Sequence, residues 1–200
     1  MAIDYTTMLE QDEVKAAHIV AEQNVTFDVL RSEVNRLYNT VADVLEGLSD
    51  DNISFLPHDP EAYDKDAATE EERHIGWTLG HLVAHVTATN EENAIFTSLL
   101  ARGIQQGGRI RTEVPWQEMD TVEKAVNRLE ESRRIVLAYL DAIPDEPDLT
   151  TEREFSERAA AFFGPMNALA SMVQGLAHHA GHLEQFADVR GQALAAKENA

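Results

Sequence analysis

The sequence predicts an all-α fold, a four-helix bundle with an N-terminal helical extension. Apolar residues recur at steps of three and four along four long stretches, the signature of helices that bury one face. The 6 prolines and 10 glycines fall mostly between those stretches, and no run shows the two-residue alternation of a strand.

The elements follow in chain order. Residues from about Tyr5 to Gln23 read as a weakly amphipathic lead-in, with Leu9, Val14, Ala17 and Val20 at roughly helical spacing. Phe27, Leu30, Val34, Leu37, Val41, Val44, Leu45 and Leu48 then mark the buried face of the first long helix. Gly47 and the run Ser49-Asp50-Asp51 close it. The segment Asn52 to Arg73 reads as a loop with Pro57 and Pro60. A second helix is expected to start between Ile75 and Thr78 and to run to Leu100, burying Leu79, Leu82, Val83, Val86, Phe96 and Leu100 before Gly103, Gly107 and Gly108. Pro115 suits the first turn of a third helix, which carries Val122, Val126, Leu129, Val136, Leu140 and Ile143 and ends at Pro144. An acidic connection, Asp145 to Glu157, leads to a fourth helix. It is expected from Gly164-Pro165 to about Arg190, over Leu169, Met172, Val173, Leu176, Leu183 and Phe186. The organisation expected is a lead-in over 1–23 packed on the bundle, the bundle over 24–192, and a tail over 193–200.

Composition narrows the function. The chain has 200 residues, enough for one sizeable core, and its 44% apolar but only 6% aromatic content predicts aliphatic packing. Its net charge of −20 repels phosphate backbones and anionic lipid, so no nucleic acid and no membrane is expected as a partner. No apolar run reaches the roughly 20 residues of a membrane span, and Met1 to Glu13 has no secretory pattern, so a cytoplasmic location is expected. Cysteine is absent, which excludes disulfides, thiolate metal sites and a cysteine nucleophile. Any metal must be held by imidazole and carboxylate.

Five of the 8 histidines fall in two clusters on expected helices, His81 with His85 and His178-His179 with His182. Residues four apart on a helix share a face, with Cβ atoms roughly 5–6 Å apart, so two imidazoles there can hold one ion. A third ligand from another helix would leave positions open for water or substrate, as in catalytic sites. On an ideal helical wheel the apolar stripe of the fourth helix lies nearer His179 than His178. The wheel therefore admits either His178 or His179 as the partner of His182. His18, His58 and His74 have no partner at ligand spacing and read as surface or loop residues.

Trp77 followed eight residues later by His85, together with the His-x-x-x-His pair within His178-His179-Ala-Gly-His182, resembles the DinB/YfiT-like superfamily pattern. The resemblance spans about Phe27 to Gly191. It implies an up-down-down-up four-helix bundle in which His85, His178 and His182 bind one divalent metal ion, zinc or nickel foremost. It also implies kinship with S-transferases and an isomerase that use mycothiol or bacillithiol, and hence a low-molecular-weight thiol as cosubstrate. Where many relatives have Arg-Gly-Gln after the last histidine, this chain has Leu183-Glu184-Gln185, without the basic residue. His81 stands where relatives often carry a carboxylate or another polar residue. It is a candidate fourth ligand, ligand-orienting group or proton carrier. A homodimer, formed through exposed apolar strips on the first and fourth helices, is expected from the same analogy.

The remaining candidates are read from the residues. Glu92 lies two turns beyond His85 on the same face and is, with His81, a catalytic candidate, to orient a ligand or act as a base; a solvated surface acid is the plainer reading. His179 reads as a buried histidine hydrogen bonded to backbone or carboxylate. Trp77 and Trp116 read as packing residues at helix starts. Gly80, Gly175 and Gly181 lie inside helices at about 1 kcal/mol each relative to Ala, for which close helix approach is the expected reason. The leading functional expectation is a metal-dependent enzyme that activates a thiol or water for a small-molecule substrate, S-transferase-like or hydrolase-like. Its rivals are a non-catalytic metal or small-ligand binding, stress-response dimer, and a bundle that holds no metal.

Overall fold

The computed structural model describes residues 2–64, 67, 69–110 and 112–198. The lead-in forms two short helices, α1 (Thr6–Glu10) and α2 (Ala16–Glu22). The bundle is built from α3 (Phe27–Leu45), α5 (Leu79–Leu100), α6 (Val122–Asp141) and α8 (Ala168–Gly181). Between them lie α4 (Asp50–Ile53) and α7 (Glu157–Phe163), and α9 (Leu183–Glu198) follows α8. Among the described residues there is no strand, only an isolated bridge between Gly107 and Glu154. No helix among them is long and apolar enough to cross a membrane.

Each bundle helix starts on a side-chain cap. Thr26, Thr78, Thr121 and Asn167 accept hydrogen bonds from the backbone N–H three residues on, which satisfies one of the open donors of the first turn. The apolar stripes then meet. Leu30, Val34, Leu37 and Val41 of α3, Leu79, Leu82, Val83 and Val86 of α5, Leu129, Val136 and Leu140 of α6, and Met172, Val173 and Leu176 of α8 are all fully buried. Burying one such side chain contributes about 1.5–3 kcal/mol. Around the bundle α3 neighbours α6 and α8, and α5 neighbours the same two. The two helices that carry the histidine clusters, α5 and α8, are therefore in direct contact along their length.

The first long helix ends at Leu45, and the segment read as a loop from Asn52 to Arg73 has a short helix, Asp50–Ile53, at its start and a 3-10 turn, Glu72–His74, at its end. Three further boundaries also differ from the sequence reading, each for a local reason. The third helix begins at Val122, where Thr121 caps it, and Pro115 instead leads into a single 3-10 turn, Trp116–Glu118. Gly164 ends a helix: it stops α7 at φ +69°, and Asn167 starts the next one. The fourth helix is divided at His182, whose N–H bonds to the carbonyl of His179 three residues back. The lead-in packs on α8 through α2, where Ala16 and Ile19 are fully buried. The expected tail is helical to Glu198, with Ala193 buried and its carbonyl accepting from Asn52 at 3.1 Å; residues 199 and 200 lie outside the described residues.

Candidate metal centre

Two glycines bring the walls of the site together. A Cβ at Gly175 of α8 would lie 2.9 Å from Cβ of Asn93 on α5, so glycine lets these helices approach closely. A Cβ at Gly80 would fall 1.9 Å from the carbonyl oxygen of Met119, which lets the backbone after the Trp116 turn rest on the start of α5. Close approach is thus the role of both. At Gly181 the nearest atom is only the flexible end of Leu9, at 3.2 Å.

The approach of α5 and α8 sets His85 against His178 and His182. Nε2 of His178 lies 3.0 Å from Nε2 of His85 and 3.4 Å from Nε2 of His182. The three ligand atoms all lie within 4.8 Å of one another. Four-coordinate zinc with Zn–N bonds of about 2.0–2.1 Å needs nitrogens about 3.3 Å apart, so both measured separations suit a shared ion. Burial disfavours the charged imidazolium and pushes His85 and His178 down to about 3, with the neighbouring histidines adding to the effect. Burial lowers His182 as well, opposed by its bond to Gln185. The three rings are therefore neutral at physiological pH. Nδ1–H of His182 donates to Oε1 of Gln185 at 2.8 Å, which leaves its Nε2 lone pair for the centre of the cluster. Neutral nitrogen donors crowded together in this way are a donor set that fits a divalent cation.

An aromatic wall stands beside the cluster. Trp77 stacks on His81 at 4.4 Å and 24°, contacts His85 at 4.5 Å and lies over His182 at 5.8 Å. The other face of His81 is covered by Trp116 at 4.6 Å and 3°. His81 is thus held between two indoles, and burial lowers its pKa to about 4. It is not one of the three converging histidines. A cavity of about 340 Å³ opens along this wall, lined by Trp77, His81, His85, Thr89, Arg109 and Trp116 among others. The two tryptophans, expected as packing residues, form its sides.

Glu92 is placed elsewhere. It is 6% exposed, not solvated, and does not line the cavity. Its carboxylate pairs with Arg109 at 3.1 Å and Arg153 at 3.5 Å and accepts from the N–H of Ile110 at 3.0 Å. These bonds fasten the cavity-lining connection after α5 to the helix. His179 turns into the core, fully buried. Its Nδ1 accepts from the amide of Asn90 at 2.8 Å, and its ring meets Tyr38 edge-on at 5.3 Å. Asn90 also donates to the Tyr38 hydroxyl, which is 2.8 Å from Ser132 Oγ. The structure so separates two adjacent histidines between which the helical wheel did not choose a partner for His182. His18 accepts from the N–H of Lys15 at the start of α2, and His74 lies 3.8 Å from Glu70.

Sequence reasoning passed over Gln185, Asn90 and Arg109. Gln185 carried a signal, since a residue three beyond a candidate ligand on a helix can reach its ring. Asn90 and Arg109 carried none, because their partners are distant in sequence.

The family model described as the DinB superfamily matches residues 33–186, which includes all three converging histidines. No curated protein and no solved structure matches the chain significantly.

Proposed function

The chain belongs to the DinB superfamily, and from that premise we propose that it is a metal-dependent enzyme acting on a small molecule, with His85, His178 and His182 as the ligands of one divalent ion. The observation that carries this reading is the convergence of three neutral imidazole nitrogens, 3.0 and 3.4 Å apart, beside a cavity. Zinc and nickel both suit imidazole donors, and zinc's tetrahedral preference fits these separations. A bound ion supplies Lewis acidity, which lowers the pKa of an adjacent water or thiol toward neutrality.

The residues of the chain supply the rest. Trp77 and Trp116 exclude water from one side of the site, and Arg109 brings a guanidinium to the cavity wall. The reaction class is transfer of a thiol to an electrophile or hydrolysis, since both begin with an activated nucleophile beside a bound substrate. His81, clamped between two indoles and held far below its usual pKa, serves as part of the wall in this reading; a general base works best with a pKa near the operating pH.

The test is metal content and metal-dependent turnover. Wild-type protein, stripped and titrated with Zn²⁺ or Ni²⁺, is expected to bind one equivalent. His85→Ala is expected to lose more than the ~100-fold that removal of a ligand's supporting hydrogen bond costs. A screen of thiol conjugation and ester hydrolysis should show rates that vanish on stripping and return on reloading. Stoichiometric binding with no metal-dependent rate in either screen would leave a binding protein and overturn the enzyme reading.

A further inference from the structure

The three histidines of the cluster are not equally supported. Nδ1 of His178 is buried with no hydrogen-bond partner among the described residues, whereas Nδ1 of His182 lies 2.8 Å from Oε1 of Gln185. His182 is also where regular helix stops. Its N–H bonds to the carbonyl of His179, and α9 starts at the next residue. A ring at such a break takes its direction from side-chain contacts, here the Trp77 indole and the Gln185 amide.

We propose that Gln185 is a positioning residue that holds His182 in its Nδ1–H tautomer, so that Nε2 is unprotonated where it faces His178 and is ready for a cation. The inference rests on the metal-site reading given above. Amide oxygen and amide nitrogen have opposite consequences here. With Oε1 toward the ring, the proton stays on Nδ1 and Nε2 presents a lone pair. With the amide reversed, its N–H would donate to Nδ1, the proton would move to Nε2, and the cluster would have to expel it before a metal could enter. An acceptor oxygen presented to Nδ1 thus favours the tautomer whose Nε2 lone pair is free, without bringing a charge to the site. Gln185 is half-buried and lines a surface depression with His58 and Asp188, so replacing it opens no void in the core.

The experiment compares wild type with Gln185→Leu and Gln185→Glu. In metal-free, ¹⁵N-labelled protein at neutral pH, the His182 ring is expected to carry its proton on Nδ1 in wild type and Gln185→Glu, and to shift toward Nε2–H in Gln185→Leu. Zn²⁺ affinity is expected to fall about 10–100-fold in Gln185→Leu and to be retained in Gln185→Glu, which keeps an acceptor. Should Gln185→Leu fail to fold, Gln185→Met gives the same comparison with the chain length kept. Equal Zn²⁺ affinity and an unchanged tautomer in wild type and Gln185→Leu would overturn the positioning role and leave the metal site standing. Failure of the wild type to bind Zn²⁺ would overturn both.

Discussion

Helices α3 and α5 are of similar length, 19 and 22 residues, and both start on a threonine cap, yet they bury different kinds of residue. On α3 the buried side chains are Leu30, Val34, Leu37, Tyr38, Val41 and Leu45, one stripe with solvent opposite, and a single carboxylate, Glu33, which pairs with Arg36 of the same helix. On α5 the buried set includes Thr87, Asn90, Glu91, Glu92, Asn93 and Thr97 as well as the apolar stripe. The difference is one of surroundings. α5 is covered by α6, by α8 and by the turn carrying Trp116, so its polar side chains have no water to face and must find partners in the protein. Glu91 pairs with Arg128 of α6 at 2.7 Å, and Glu92 with Arg109 and Arg153. A helix with one wet side is specified by its own sequence, whereas a covered helix is specified jointly with its neighbours.

The sharpest way to break this contrast is to remove one partner of a polar pair on α5. Arg128 and Glu91 are each about 7% exposed, so Arg128→Met leaves a carboxylate buried without its counter-charge. The expected loss is about 3–5 kcal/mol, read by urea unfolding, and Arg128→Met with Glu91→Leu should recover most of it. If the single and double variants unfold alike, α5 does not depend on its partners as argued. Leu37→Ala is the matching change on α3. It should cost about 2–5 kcal/mol through lost burial and the cavity left behind, with Zn²⁺ affinity of the folded protein unchanged.

Acidification separates the two regions further, because α3 contains no histidine and the α5–α8 seam holds several. Burial pushes His179 down to about 3 in the folded chain, against about 6.5 when unfolded. Between those values the unfolded chain binds more protons, so stability is complete above about pH 6.5 and is lost as pH falls. His179, the one fully buried histidine among the described residues, should cost the metal-free protein about 2 kcal/mol between pH 6.5 and 5. Unfolding free energies measured from pH 8 to 5 would refute this if they stayed flat.

The same contrast explains what the sequence disclosed. The stripe of α3 and the limits of α5 were legible because period and caps are local, and Thr78 begins a helix that ends at Leu100 as expected. The pairing of His85 with a distant histidine cluster was legible from the family resemblance, not from the wheel, which could not choose between His178 and His179. That choice depends on Asn90 and Tyr38, which hold His179 in the core from two other helices. The Trp77–His81–Trp116 stack was hidden for a similar reason. Pro115 reads equally well as a helix start or as the lead into a 3-10 turn, and the outcome turns on Met119 finding space over Gly80.

The smallest effect gives the most controlled comparison, since the two helices carry the same cap. Thr26 Oγ1 accepts from the N–H of Val29 at 3.3 Å, and Thr78 Oγ1 from that of His81 at 3.1 Å. Thr26→Ala and Thr78→Ala should each cost about 1 kcal/mol if capping is all that either does. The residue that donates the bond on α5, however, is His81, whose imidazole is clamped between two indoles. Fraying there would loosen Trp77 and Trp116 as well as the first turn. Thr78→Ala should therefore also change tryptophan fluorescence, while Thr26→Ala leaves it as in wild type. Matching fluorescence in both variants would mean that the aromatic stack holds its geometry without help from the helix start, and that the wall of the cavity is built from the connection side alone.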